Sequence, residues 1–203
     1  VDVADAVSFT GSVAAGRAVR RRAADRGIPA QCEMGGQNAV VVLPDADPGA
    51  AAAAIAAAAM GYAGQKCTAT SRVIVVGEQE SFAERLAAAV SALPVGDPAD
   101  PATVVGPVIE ARPRDAIHAA VDRAVAGGAR LLTGGDQPGG NGWFVAPTLV
   151  TDLPAGAELL TEEFFGPIAA LQPAASPDEA VRLANDVRYG LVAAVYTRDL
   201  GAA

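Results

Sequence analysis

Histidine is nearly absent from this 203-residue chain, cysteine occurs twice, and no long apolar run interrupts it. A metal site needs several ligands, so the single histidine, His118, is expected on a helix surface. Two cysteines, Cys32 and Cys67, are too few for a disulfide framework, and Cys32 reads as core packing. The longest apolar stretch, Gly49 to Met60, is mostly alanine and falls well short of the ~20 residues a bilayer helix needs. Positive charge is scarce as well. The net charge of −8 argues against a nucleic-acid surface, which wants a basic patch. The one cluster of like charge, Arg17 with Arg20 to Arg22, reads as a solvated helix face. No signal peptide precedes the first motif, so the expected compartment is a reducing cytoplasm. Both ends of the sequence lie close to strand-like segments and read as cuts through a larger protein.

What is present fits an ordinary α/β protein: 51% of residues are hydrophobic, enough to bury a core for one domain or two small ones. Strand and helix patterns alternate, as in a fold with a largely parallel sheet. Strands are predicted at Val7 to Thr10, Pro29 to Glu33, Ala39 to Leu43, Arg72 to Val76, Arg130 to Thr133, Phe144 to Leu149, Ala169 to Leu171 and Val192 to Thr197. Helices are predicted at Val13 to Arg26, Gly49 to Ala63, Gln79 to Ala92, Ala111 to Ala126 and Pro177 to Ala184. Pro94 to Val105 and the glycine-rich Gly134 to Gly142 read as loops. Asp45 and Asp47 read as turn and helix-start residues rather than metal ligands.

Four segments can carry chemistry. In Gly64-Gln65-Lys66-Cys67-Thr68-Ala69-Thr70-Ser71-Arg72, a cysteine sits where a helix gives way to a loop among small and polar residues. Such a thiol is accessible, and its thiolate is a nucleophile. In Glu33-Met34-Gly35-Gly36-Gln37-Asn38, a carboxylate at a strand end precedes two glycines that let backbone approach a ligand closely. Glu33 could therefore act as a base. Glu162-Glu163-Phe164-Phe165-Gly166-Pro167 sets carboxylates beside aromatics, a pattern able to position a ribose and a flat ring. Phe9-Thr10-Gly11-Ser12 is a strand, a small-residue turn and a helix N-terminus, which suits a pyrophosphate. Taken singly, each has a plainer reading: a buried thiol, a surface carboxylate, an anchored loop, an ordinary turn.

In combination and in this order, the four segments resemble the aldehyde dehydrogenase superfamily. Val105-Gly106-Pro107-Val108, Gly142 to Leu149 and Asn185 to Leu191 extend the likeness over nearly the whole chain. The resemblance implies an NAD(P)-dependent enzyme of the hydrolytic type. Its fold would be the three-layer α/β catalytic domain with a largely parallel sheet, over residues 35–203 and incomplete at the C-terminus. Residues 1–34 would be a remnant of the Rossmann-like cofactor domain. By the same resemblance, Cys67 attacks the aldehyde to give a thiohemiacetal and then a thioester, while Glu33 activates the water that hydrolyses it. Glu163 is matched to the residue that hydrogen-bonds the nicotinamide ribose, Phe165 to the one packing near the nicotinamide, and Gly11 and Ser12 to positions at the cofactor phosphates. The Cys67 amide would supply half of an oxyanion hole. The implied assembly is a homo-oligomer, the implied substrate a small-molecule aldehyde, and no nucleic acid or membrane partner is implied.

The departures matter too. The family's second oxyanion donor, an asparagine, and most of its cofactor domain would lie upstream. The segment alone is therefore expected to be a poor enzyme or none. Glutamine stands at position 37, where lysine is common. Glu33 favours hydrolysis over transfer to CoA, because the CoA-acylating branch lacks that base. A thiol-dependent esterase, or an inactive piece of a dehydrogenase, remains the alternative. Around the thiol, Gly64 to Arg72 is similar to the α-ketoglutarate semialdehyde dehydrogenase branch.

Overall fold

The computed structural model describes residues 1–203, which divide into two compact units, Val1–Gly36 and Gln37–Ala203. In the first, β1 (Val7–Gly11) leads through α1 (Val13–Asp25) to β2 (Ala30–Met34), and the two strands pair in parallel with Thr10 opposite Glu33. Ser12 follows β1 and caps α1, its Oγ accepting from the Ala15 N–H at 3.3 Å, which satisfies one of the helix's free donors. Gly16 faces β2 so closely that a Cβ there would lie 2.5 Å from the Met34 sulfur. Gly27, at φ +67°, turns the chain out of the helix, a conformation glycine adopts without strain. Burial alternates along both strands, as expected for strands covered on one face.

The second unit is built on a six-stranded sheet: β3 (Asn38–Val42), β4 (Thr70–Val76), β5 (Arg130–Thr133), β6 (Thr148–Thr151), β7 (Ile168–Ala174) and β8 (Ala193–Tyr196). The spatial order is β5-β6-β7-β4-β3-β8, parallel throughout except for the β5–β6 pair. The helices are α2 (Pro48–Met60), α3 (Glu80–Ser91), α4 (Ala111–Ala126), α5 (Glu158–Thr161) and α6 (Pro177–Asn185). Val40, Val42, Val73 and Val75 pack with residues of α2, α3 and α4 on one face. Ala39, Val41, Leu43, Ile74 and Val76 pack with Ala180, Leu183 and Ala184 of α6 on the other. The period of two in the valine runs thus feeds two cores, and the architecture is three-layered with a largely parallel sheet. Small alanines at 51, 52, 56 and 59 are buried, letting α2 lie close against its neighbours.

Four elements differ from the sequence expectation. The helix expected to reach Ala63 stops at Met60, because Tyr62, Ala63 and Gly64 take left-handed φ values of 57°, 52° and 65°. The strand expected at Phe144 to Leu149 instead begins at Thr148. Pro147 has no N–H to give a ladder, and Ala146 pairs with the Asp136 carbonyl in a loop. The strand expected at Ala169 to Leu171 runs from Ile168 to Ala174, passing Pro173. The short helix α5 was not expected at all; one helical turn offers too brief an apolar pattern to read.

Candidate active site

The segment carrying Cys67 is shaped by its approach. After α2, three successive left-handed residues reverse the chain, and Gly64 is required at the last of them. A Cβ on Gly64 would sit 2.0 Å from the Gly166 carbonyl oxygen, so only glycine allows this approach. The contact joins the Cys67 segment to the Gly166-Pro167 turn that follows Glu163 and Phe165. Phe165 itself is left-handed (φ 50°) and exposed, while Phe164 packs into the core. Glu163 is half-buried, and its neighbour Glu162 pairs with Arg188.

Side chains then fix the turn. The Gln65 Oε1 accepts from the Ile109 N–H at 2.9 Å, and its Nε2 donates to the Pro107 carbonyl at 3.4 Å. Asn38, buried at the start of β3, donates from Nδ2 to the carbonyls of Cys67 and Ala69, both at 2.8 Å. Its Oδ1 accepts from the Val192 N–H at 3.2 Å, just before β8. One amide side chain thereby spends both donor hydrogens on the Cys67 turn and ties it to the sheet. The Cys67 residue itself is exposed.

Two buried polar residues support this frame. Gln37 is 4% exposed and donates from Nε2 to the Leu159 carbonyl at 3.0 Å, linking β3 to α5, the helix that leads into Glu163. A neutral amide suits that place, since a buried ammonium would need a counter-charge. Arg72, 2% exposed, donates to the carbonyls of Gln37, Leu183 and Ala184, so it caps the end of α6 as well. Burial pulls the guanidinium below its ordinary value, and Asp186 partly offsets this.

In the first unit, Gly11, Ser12 and Glu33 gather at the carboxyl ends of the two parallel strands. Ligands of open α/β sheets bind at such an edge. The first turn of α1 holds no acidic residue, so its positive end is left for an anion. Gly11 and Ser12 are exposed there, and the arrangement fits a phosphate group. Glu33 is exposed, and its Oε1 accepts one long hydrogen bond, from Gln31 Nε2 at 3.3 Å. Cys32, on the opposite face of β2, is half-buried with its thiol 3.7 Å from the Gly16 carbonyl. Asp45 and Asp47 are structural: Asp47 caps α2, and Asp45 accepts from Thr197 and from the N–H groups of Arg198 and Asp199.

The structure thus brings Cys67 together with the Glu163–Phe165 segment in one unit, and Gly11, Ser12 and Glu33 together in the other. Residue types alone did not reveal Asn38, Gln65 or the Gly64–Gly166 contact. Asn38 and Gln65 stood inside motifs already singled out, but their partners lie far along the chain.

The frame matches known proteins closely. The aldehyde dehydrogenase family profile covers residues 2–203. The chain is 42% identical over 195 residues to a succinate-semialdehyde dehydrogenase [NADP(+)] of Mycobacterium avium, covering 96% of this chain and 41% of that protein. It is 38% identical over 205 residues to an alpha-ketoglutaric semialdehyde dehydrogenase of Bacillus subtilis, covering 98% of this chain and 42% of that protein. Among solved structures, an aldehyde dehydrogenase of Mycobacterium tuberculosis complexed with NAD+ superposes with a TM-score of 0.93 at 36% identity, over 97% of this chain and 41% of that one. The chain belongs to the aldehyde dehydrogenase family. It spans about two fifths of the length of these curated relatives.

Proposed function

We propose that the intact protein oxidises an aldehyde to a carboxylate with NAD or NADP, through a thioester on Cys67. The observation that carries this reading is the exposed Cys67 on a turn whose backbone is held by Asn38 and Gln65. A fixed turn keeps the nucleophile and its own N–H in one geometry, and pre-aligned groups need no reorganisation during reaction. Cys67 Sγ, as thiolate, adds to the aldehyde carbon, and the Cys67 N–H donates to the oxygen that becomes negative. Bound NAD or NADP supplies the hydride acceptor. Glu33 takes a proton from water as that water attacks the thioester, releasing the acid and the thiolate.

Gly11 and Ser12 would hold the cofactor's phosphates and Glu163 its nicotinamide ribose, with Phe165 beside the nicotinamide. Residues 1–34 are a remnant of the cofactor-binding domain in this reading, and 35–203 belong to the catalytic domain. The named relatives include enzymes of succinate and α-ketoglutarate semialdehydes, so a semialdehyde is the substrate class we favour. The cofactor choice stays between the two nucleotides: one relative's name specifies NADP(+), and one solved structure carries NAD+. The proposal extends to a cytoplasmic homo-oligomer acting on small molecules, without nucleic acid or membrane partners. In support, the charge is −8 and no helix is long and apolar enough to cross a membrane.

The test is NADH or NADPH formation by the intact protein with a panel of aldehydes, beside Cys67→Ala. Cofactor reduction that needs Cys67 and not CoA supports the reading. Ester hydrolysis by Cys67 with no cofactor reduction from any aldehyde would support the esterase alternative instead.

A further inference from the structure

Lys66, the residue before the nucleophile, is the only lysine in a chain with fourteen arginines. Its surroundings are unusual for a cation in a protein of net charge −8. Six arginines of the same unit, Arg114, Arg123, Arg130, Arg182, Arg188 and Arg198, make ion pairs. Within its own unit, Lys66 pairs with no carboxylate. It is half-buried, and its ammonium lies over the Tyr62 ring, 5.7 Å from the centroid. A ring face holds a cation in place without neutralising it.

Tyr62 in turn lines a cleft of ≈ 530 Å³ with Ala63, Gln65, Pro98, Thr103 and Pro107 among its walls. Gln65, two residues before Cys67, is the lining residue nearest to it in sequence, and the lining carries no charged side chain. Tyr62 adopts a left-handed φ of 57°, which a tyrosine does at a cost, and its ring lies beneath Lys66. A strained aromatic, an unpaired cation resting on it, and a nucleophile one residue away form an arrangement that folding alone does not require.

We propose that Lys66 is a specificity-determining residue that binds the distal carboxylate of an acidic aldehyde while its carbonyl sits at Cys67. The inference rests on the aldehyde dehydrogenase reading and names the feature of the substrate that this chain selects. A lysine suits the task because its ammonium is a flexible point charge with three donors, able to follow substrates of slightly different length. Arginines, fixed in their forks, already serve the structural pairs.

The experiment compares 4-oxobutanoate with butanal, aldehydes of equal chain length that differ in the terminal carboxylate, in the intact protein and its Lys66→Met and Lys66→Arg variants. Losing a charge-assisted contact should lower kcat/KM for 4-oxobutanoate roughly 10- to 100-fold in Lys66→Met, mainly through KM. Butanal should change by less than about threefold, and Lys66→Arg should keep most of the preference for the anion. An equal loss with both aldehydes would overturn the inference, because it would place Lys66 in activating the thiol or in the fold. So would an unchanged preference in Lys66→Met. A second readout needs no turnover: protection of Cys67 from iodoacetamide. The anion should protect at lower concentration than butanal, and the difference should vanish in Lys66→Met. If no aldehyde reduces cofactor yet the anion still protects through Lys66, the dehydrogenase reading fails and the Lys66 site stands. If cofactor is reduced and protection ignores the carboxylate, the reverse holds.

Discussion

Cys67 and Glu33, the two residues assigned to the chemistry, are held in opposite ways. The turn of Cys67 is fixed through Asn38, Gln65 and the Gly64–Gly166 contact, and it hangs on a sheet buried on both faces. Glu33 stands exposed at the end of a two-stranded pair, with one long hydrogen bond from Gln31. A nucleophile must be aligned with a carbonyl at each attack, so rigidity helps it. A base that serves a later, separate step needs reach, and a loosely tethered carboxylate has it. The difference suggests that acylation depends on the second unit's packing and deacylation on the freedom of one side chain.

Replacing Glu33, the proposed base, should separate the two steps most strongly. Glu33→Gln should slow steady-state turnover by roughly 10²- to 10⁴-fold, the span for loss of a general base. A rapid first turnover of cofactor should survive, visible by stopped-flow absorbance. Loss of that first turnover as well would show that Glu33 also serves the thiol.

On the rigid side, Gly64→Ala sets a methyl against the Gly166 carbonyl at a left-handed φ. It should cost about 2–4 kcal/mol of stability, measured by denaturant unfolding, since strain and overpacking add. A cost near zero would mean that the close approach is not what shapes the turn.

Asn38→Ala removes the donors to Cys67 and Ala69 and the acceptor of Val192. A loss of about 1–3 kcal/mol is expected, together with a slower first turnover. Deacylation, which also develops an oxyanion beside the Cys67 N–H, should slow as well, which single-turnover kinetics can check.

Tyr62→Asn tests the strain before the nucleophile. Asparagine tolerates the left-handed region far better than tyrosine, so the variant should gain about 1 kcal/mol in thermal or denaturant unfolding. Destabilisation would mean that the Tyr62 ring contributes more than its backbone costs.

The smallest effect concerns the turn after β8, where Asp45 accepts from Thr197, Arg198 and Asp199. The bond from the Thr197 hydroxyl, then that from the Arg198 N–H, keeps the Asp45 carboxyl below its ordinary value of 3.8. The folded value is depressed, so this contribution is present above the unfolded pKa and fades as pH falls through the folded one. Amide exchange near Thr197 should therefore rise only in that acid range, and Asp45→Asn should flatten the change.

Much of the frame was legible in the sequence. Ala39 to Leu43 and Arg72 to Val76 read as strands, and Asp47 read as a helix-start residue just ahead of α2. The end of α2 was not legible, because Tyr62 and Ala63 are poor left-handed residues and nothing local forecasts their conformation. Nor was the true start of β6, where Pro147 mattered more than the apolar run before it. The family was legible in the order and combination of the four motifs. What holds the Cys67 turn depended on pairs such as Asn38 with Val192 and Gly64 with Gly166, which only the folded chain brings together.

The central claim is that an aldehyde is carried as a thioester on Cys67. The most direct test is mass spectrometry of intact Glu33→Gln protein quenched in acid after mixing with cofactor and aldehyde. The account predicts one acyl adduct, mapped to the peptide holding Cys67 and dependent on oxidised cofactor. No adduct despite cofactor reduction, or an adduct on any other residue, would contradict it.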